Sequence, residues 1–149
     1  MLHDTLEQAY TNEIPVSWDL FENKEMLESI SVPLFEVFCD ICDDWGVNIE
    51  GRLRLLGGII KSSAYSNWKS KDATPNLNMA LLERISLVLG IHKALMLLFV
   101  NESKAHEWLI SKNHEPVFAG QSPLEFMQKG PVEPLYRTRR YLDSWRGIK

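Results

Sequence analysis

The side chains best suited to recognition chemistry lie near the end of the sequence, where arginines are interspersed with aromatic residues. Between positions 136 and 146 these residues are Tyr136, Arg137, Arg140, Tyr141, Trp145 and Arg146. Arginine, tyrosine and tryptophan are enriched where proteins contact one another, because each combines a large apolar or planar surface with hydrogen-bonding groups. The segment therefore predicts a protein-binding surface. The alternative is a basic helix face that contacts only water.

Catalytic chemistry finds little support in the sequence. We see no glycine-rich phosphate loop, no His-Glu-x-x-His zinc motif and no Gly-x-Ser-x-Gly nucleophile motif. The acids Asp43 and Asp44 are adjacent, so on a helix they point apart and cannot share a substrate. We therefore do not predict an enzyme, and we predict no cofactor.

The cysteines and histidines do not predict a metal site. Cys39 and Cys42 lie three residues apart, a spacing at which a helix places both on one face but makes a disulfide awkward. The four histidines are scattered, and there is no second cysteine pair. We expect two buried, reduced thiols and no bound metal.

Two helices must position the arginine and aromatic residues. Ser122, Pro123 and Glu125 form a capping-box pattern with proline in the first turn, and Gly130 ends that helix. A second helix is predicted to begin near residues 131–134 and to run to Trp145, with Gly147 just beyond its end. Its apolar stripe is formed by Leu135, Thr138, Leu142 and Trp145, and Arg139 is spaced to pair with Asp143.

The middle of the chain predicts a helix-turn-helix unit. Asn48 caps a short helix over 49–56, Gly57 and Gly58 form a turn, and Ser62 or Ser63 caps a second short helix over 64–69. In that plan the second helix enters the DNA major groove, while Tyr65 or Trp68 holds it to the core. The segment 51–71 has five basic residues and no acid. The residues predicted to contact DNA are Arg52, Arg54, Lys61, Ser62, Ser63, Tyr65, Ser66, Asn67 and Lys69.

The remaining pattern is also helical. A short helix over 22–31 is followed by Pro33, which is predicted to restart the chain into a helix that ends at Gly46. A helix through Leu82 is predicted to close at Gly90, and a second apolar stripe runs from Ile91 to Phe99. These two helices form the core, a homodimer surface, or both. A further helix covers 101–112, so the predicted fold class is all-α.

Charge is divided unevenly along the chain. Residues 1–50 hold twelve acids and one base, a formal charge of −11, whereas residues 51–149 hold fifteen bases and eight acids, or +7. This division suggests that different surfaces meet different partners. No apolar run approaches the ~18 residues that a membrane span needs, and no secretory signal is recognisable, so we expect a cytoplasmic protein.

Two stretches resemble a known family. The pattern Phe-x-Gly-x-Ser-Pro-Leu-x-x-Met at 118–127 and the run Arg-Arg-Tyr-Leu-Asp-Ser-Trp-Arg-Gly at 139–147 resemble the toxin-binding domain of the Xre/MbcA/ParS antitoxins. Segments 35–46, 51–56, 64–69 and 82–95 resemble the helix-turn-helix half of the same family. The resemblance implies an antitoxin that occludes an NAD-consuming toxin, of the RES or ADP-ribosyltransferase type, and that represses its own operon.

The resemblance also implies a site. In the family the C-terminal end lies at the mouth of the toxin's NAD pocket, so Arg146, Gly147 and Lys149 are the candidates for entering it. The residues predicted to contact the toxin are Arg137, Arg140, Tyr141, Ser144, Trp145, Arg146, Gly147 and Lys149. The expected partners are a cognate toxin, operator DNA and a second copy of the chain.

We accordingly predict three parts. These are an acidic N-terminal arm over 1–31, a helix-turn-helix and dimerisation region over 32–99, and a small helical toxin-binding domain over 100–149. Two alternatives stay open: a dimeric transcriptional repressor without a toxin contact, and a helical scaffold with no nucleic-acid role.

Overall fold

The computed structural model describes residues 24–147, and within that range the chain is entirely helical. This confirms the predicted all-α fold class. The predicted acidic arm falls mostly outside the described residues, as does Lys149, a candidate toxin contact. The helices are α1 Lys24–Trp45, α2 Ile49–Leu55, α3 Ser62–Ser70, α4 Met79–Leu98, α5 Glu102–Ile110, α6 Pro123–Met127 and α7 Glu133–Trp145.

Helix α1 is longer than predicted, because Pro33 lies inside it and does not restart the chain. Proline removes one backbone hydrogen bond from a helix interior, so the packing around it must favour continuation. Ser31 supplies part of that packing: its hydroxyl donates to the Leu27 carbonyl at 2.7 Å and accepts from the Leu77 backbone amide at 3.1 Å. Beyond Pro33, Leu34, Phe35 and the later apolar residues of α1 are buried in the core.

Helices α2 and α3 occupy the positions predicted for the helix-turn-helix pair. The Asn48 side chain accepts from the Gly51 amide at 2.8 Å, as predicted for the cap of α2. Gly57 and Gly58 have φ values of +77° and +67°, which explains the two glycines of the turn. The predicted serine cap of α3 is wrong: the helix begins at Ser62, and its N-cap, Lys61, makes no side-chain hydrogen bond.

Helix α4 is one continuous element, so the predicted break at Gly90 is also wrong. The helix is apolar on nearly all sides, with Leu82, Ile85, Val88 and Ile91 among its buried residues. A helix that is apolar on nearly all sides belongs at the centre of a core, and here the exposed large apolar residues, Met96 and Leu97, lie near the helix end. Its most extensive packing is against α7, and its next is against α1, so the last helix rests on the same central helix as the first.

The C-terminal helices begin where the sequence indicates. Asn101 caps α5 by accepting from the Lys104 amide at 2.9 Å, and Ser122 caps α6 by accepting from the Glu125 amide at 3.1 Å. Leu135, Thr138 and Leu142 of α7 are buried, which confirms that stripe except at Trp145, which is half exposed. Among the described residues, no helix has the length and apolar character needed to cross a membrane.

Candidate functional site

The outward face of α7 carries the predicted protein-binding side chains. Arg137, Arg140 and Ser144 are exposed, and Trp145 keeps 52% of its surface accessible although it is a large aromatic residue. Within residues 24–147, Arg140 makes no ion pair. A guanidinium without an ion-pair partner among the described residues is suited to bind a carboxylate or phosphate of another molecule.

Aromatic packing beneath this face holds α7 in place. Tyr141 stacks on Trp108 of α5 at a ring separation of 6.2 Å and meets the edge of Phe118 at 5.2 Å. Trp145 packs edge-on against Phe99 at 5.8 Å. Such aromatic pairs add to the stability that area burial alone supplies. Tyr141 is therefore a support for the exposed residues, whereas Trp145 presents part of its ring outward.

The end of α7 is fixed by a shared carboxylate. Asp143 pairs with Arg139 at 3.0 Å, as predicted, and with Arg146 at 3.6 Å. The Arg146 side chain is only 21% exposed, so it lies back along the helix toward Asp143. Gly147 follows with φ of +78°, the left-handed conformation in which helices commonly end.

The sequence did not indicate that Lys129, which lies outside α7, adds a positive charge beside the α7 surface. The Arg137 guanidinium lies 5.6 Å from the centre of the Phe126 ring, and the Lys129 ammonium lies 5.3 Å from the same ring. Both are cation–π contacts, which place two positive charges around one aromatic residue of α6. Only the position of Lys129 just beyond the capping-box helix could have suggested this contribution.

The second surface of interest is the exposed side of α3. Lys61, Ser62, Ser63, Ser66, Asn67 and Lys69 are all exposed there. Tyr65 and Trp68 hold the helix from below, since both rings meet Phe35 of α1 edge-on at 5.4 Å. Arg54 is exposed too, but it pairs with Glu50 at 2.7 Å.

Arg52 and Tyr65 must be removed from the set of residues predicted to contact DNA, because both are buried. The Arg52 guanidinium donates to the Val47 carbonyl at 2.8 Å, to the Tyr65 hydroxyl at 3.0 Å and to the Asp43 carboxylate at 2.6 Å. The Tyr65 hydroxyl also lies 3.4 Å from the Cys39 sulfur. These bonds tie α1, α2 and α3 together, so neither side chain is available to a phosphate.

An acidic wall also faces α3. A groove of about 630 Å³ separates Glu36 and Asp40 of α1 from Lys69 and Lys71. The pKa of Asp40 is raised by burial and by the nearby charge of Asp43, while Lys69 acts in the opposite direction. The acids therefore offset part of the positive charge that α3 presents.

The thiols behave as predicted. Cys39 and Cys42 are both buried and free, and burial raises the pKa of each thiol. A thiol whose pKa is raised is a poor nucleophile, because it is the thiolate that reacts. Across residues 24–147, no group of three or more histidine, cysteine or acidic side chains is placed to hold a metal ion.

Comparison with known proteins places the α7 surface within a described domain. Residues 94–147 match the family described as the antitoxin Xre/MbcA/ParS C-terminal toxin-binding domain. This match begins inside α4 and includes the whole of α5, α6 and α7. The chain is also 37% identical over 121 residues to an uncharacterised protein, y4oB, of Sinorhizobium fredii. The aligned region covers 80% of this chain and 90% of that protein.

Proposed function

Because the chain belongs to the Xre/MbcA/ParS family of antitoxins, we propose that it neutralises an NAD-consuming toxin by covering that toxin's NAD pocket. The proposed contact is the outward face of α7 and the residues that follow it, and the proposed place of action is the cytoplasm. The toxin-binding domain match supports a toxin partner. The observation that carries the contact surface is the exposed pair Arg140 and Trp145, one unpaired within residues 24–147 and the other half open to solvent.

The proposed mechanism combines steric exclusion with charge. A pocket that binds a dinucleotide pyrophosphate presents donors for negative charge, and α7 would fill its mouth with a bulky aromatic residue. Arg137 and Arg140 would pair with acidic groups on the toxin surface around the pocket. Gly147, whose backbone is left-handed with φ of +78°, ends the described part of this surface.

The experiment measures cell growth and cellular NAD while the neighbouring gene's product is expressed, with and without this chain. Toxicity with NAD loss, reversed by the parent chain, supports the proposal. Arg140→Glu with Trp145→Ala should lose protection. Lys112→Glu, an exposed charge reversal in the same half of the chain, is the control. Full protection by the double variant would remove the α7 surface from the proposal.

A second proposed role is repression of the chain's own operon through α3. Its support is the run of exposed polar and basic residues on that helix, with Ser66 and Asn67 suited to base edges and Lys61 and Lys69 to phosphates. Replacing Lys61, Asn67 and Lys69 by alanine should weaken binding to the upstream DNA. The slope of the logarithm of the binding constant against the logarithm of salt concentration should fall by about two, since two lysines are lost. An unchanged salt slope would reject α3 as the reading helix.

A homodimer is proposed in connection with operator binding. Most of α4 is buried within one chain, but Leu97 near its end is exposed. Sedimentation of the parent chain and of Leu97→Asp tests this proposal. A monomer in both cases rejects it.

A further inference from the structure

A cavity of about 210 Å³ lies between the end of α1, the second half of α4 and one face of α5. We call it the His92 cavity. Its apolar walls are formed by Trp45, Leu95, Met96, Phe99, Val100 and Leu109. Val100 is 98% exposed and Met96 is also exposed, so apolar surface continues outward from the cavity. Continuous exposed apolar surface at a concave site is typical of a place where a partner binds.

His92 itself lines the cavity and is 5% exposed. Both of its ring nitrogens are buried without a hydrogen-bond partner among the described residues. Burial lowers the pKa of His92 to about 4, so the ring is neutral at physiological pH. A neutral imidazole has one acceptor nitrogen, which a bound N–H group can satisfy.

Acidic side chains stand around the cavity. Asp44 from the end of α1 and Glu102 from the start of α5 both line it, and among residues 24–147 no lysine or arginine does. The pKa of Asp44 is raised by burial and then by repulsion from Glu102. A cation entering between these carboxylates would relieve that repulsion, whereas an anion would increase it.

We propose that the His92 cavity receives a basic side chain of the toxin, an arginine, whose aliphatic stem packs on Trp45 and Phe99 and whose guanidinium meets Asp44 and Glu102. This inference rests on the proposed antitoxin function and deepens it by naming the chemistry of the partner. Guanidinium suits the site because it carries five donors on a planar group that binds carboxylates and packs on aromatic rings.

Two observations identify the toxin as the source of that side chain. First, Leu95, Phe99, Val100 and Glu102 all lie inside the segment that matches the toxin-binding domain. Second, Phe99 joins the cavity to the α7 surface, since its ring packs against Trp145 at 5.8 Å. One partner that covers Trp145 would therefore extend over the cavity.

The cavity chemistry can be tested without the toxin. Butylguanidinium and pentanoate are titrated separately into the full chain, and binding is followed by the NMR signal of the Trp45 indole N–H, assigned with Trp45→Phe. We expect butylguanidinium to bind at least tenfold more tightly than pentanoate, and Asp44→Asn with Glu102→Gln to remove at least fivefold of that preference. Equal binding of the two probes would overturn the proposal.

The identity of the partner is tested with the purified toxin. Glu102→Lys should raise the dissociation constant of the complex at least tenfold, while Glu107→Lys, the same charge change on the same helix outside the cavity, should alter it less than threefold. If Glu102→Lys leaves toxin affinity intact while Trp145→Ala lowers it, the cavity proposal fails and the antitoxin proposal stands. A change in self-association alone would assign the cavity to a second copy and overturn the toxin assignment. If every variant kept both its affinity for the toxin and its protection of cells, the antitoxin surface itself would be rejected.

Discussion

The guanidinium of Arg139 in α7 lies against the backbone of Gly90 in the middle of α4. A Cβ atom at position 90 would overlap Nη1 of Arg139, so glycine is the residue that allows this approach. Arg139 also holds Asp143 at 3.0 Å, which in turn meets Arg146. The position of Arg146, a candidate toxin contact, is therefore linked through two ion pairs to a glycine more than fifty residues earlier.

A double-mutant cycle tests this linkage. In an Arg139→Ala background, Gly90→Ala should raise the free energy of unfolding by about 0.5–1 kcal/mol, because alanine is the better helix former and nothing obstructs it. In the parent, the displaced guanidinium should cancel most of that gain. Urea unfolding of the four proteins gives the coupling energy. The same gain in both backgrounds would contradict the contact.

The burial of His92 predicts a pH dependence of stability. The pKa of His92 is about 4 in the folded chain against an ordinary value of 6.5. Between these values the unfolded chain binds more protons, so the free energy of unfolding rises with pH. The contribution of the neutral ring, roughly 3 kcal/mol by linkage, is complete above about pH 6.5 and lost as the pH falls toward 4.

The measurement is urea unfolding from pH 4.5 to 7.5 for the parent and for His92→Phe. The difference between the two proteins in the slope of unfolding free energy against pH is the contribution of His92 alone, because all other titrating residues are shared. Replacement of His114, which is solvent exposed, by glutamine serves as the control. Parallel pH profiles for the parent and His92→Phe would show that the ring is not buried as described.

The buried Arg52 predicts a stability difference from its neighbour Arg54. Arg52→Ala removes the donor that binds Val47, Tyr65 and Asp43. The loss of these bonds should lower the free energy of unfolding by about 2–3 kcal/mol. The cost is not larger because Asp43 is mostly exposed and water can replace its partner. Arg54→Ala removes only an exposed pair with Glu50 and should cost less than about 0.5 kcal/mol. Thermal or urea unfolding decides this. Equal losses would place both arginines at the surface.

The cap of α6 gives a further prediction. Ser122 is buried, and its hydroxyl accepts from the Glu125 amide, so Ser122→Ala should lower the free energy of unfolding by about 1 kcal/mol. Ser63→Ala is the matched control, because Ser63 is exposed in the first turn of α3, whose cap makes no side-chain bond. Its effect should stay within about 0.5 kcal/mol. A loss at Ser63 equal to that at Ser122 would contradict the observed cap.

Local patterns were sufficient to predict the helix type and several helix starts. The Asn48 and Ser122 caps depend on atoms three residues apart, and the buried stripe of α7 depends on spacings of three and four residues. Such interactions are contained within one helical turn. The exposed face of α7 follows from the same periodicity, which explains why Arg137 and Arg140 could be assigned to it.

The errors share a different cause. Pro33 and Gly90 both weaken a helix locally, and the sequence therefore predicted breaks at both. Each helix continues because residues distant in sequence pack against it. Helix α1, with its buried residues after Pro33, packs onto α4, and Arg139 occupies the space beside Gly90. The basic segment 51–71 predicts Arg52 as a DNA contact, yet its guanidinium is bound inside the protein by Asp43, Val47 and Tyr65.

The sequence by itself thus determined the all-helical fold class, the caps of α2 and α6, and an arginine and aromatic face near the end of the chain. Only the tertiary structure decided that α4 is unbroken, that Arg52 is internal, and that Asp44, His92 and Glu102 surround one cavity. The physical reason is range. Helical turns are stabilised between residues three or four apart, whereas a cavity is formed by residues that meet only when separate helices pack together.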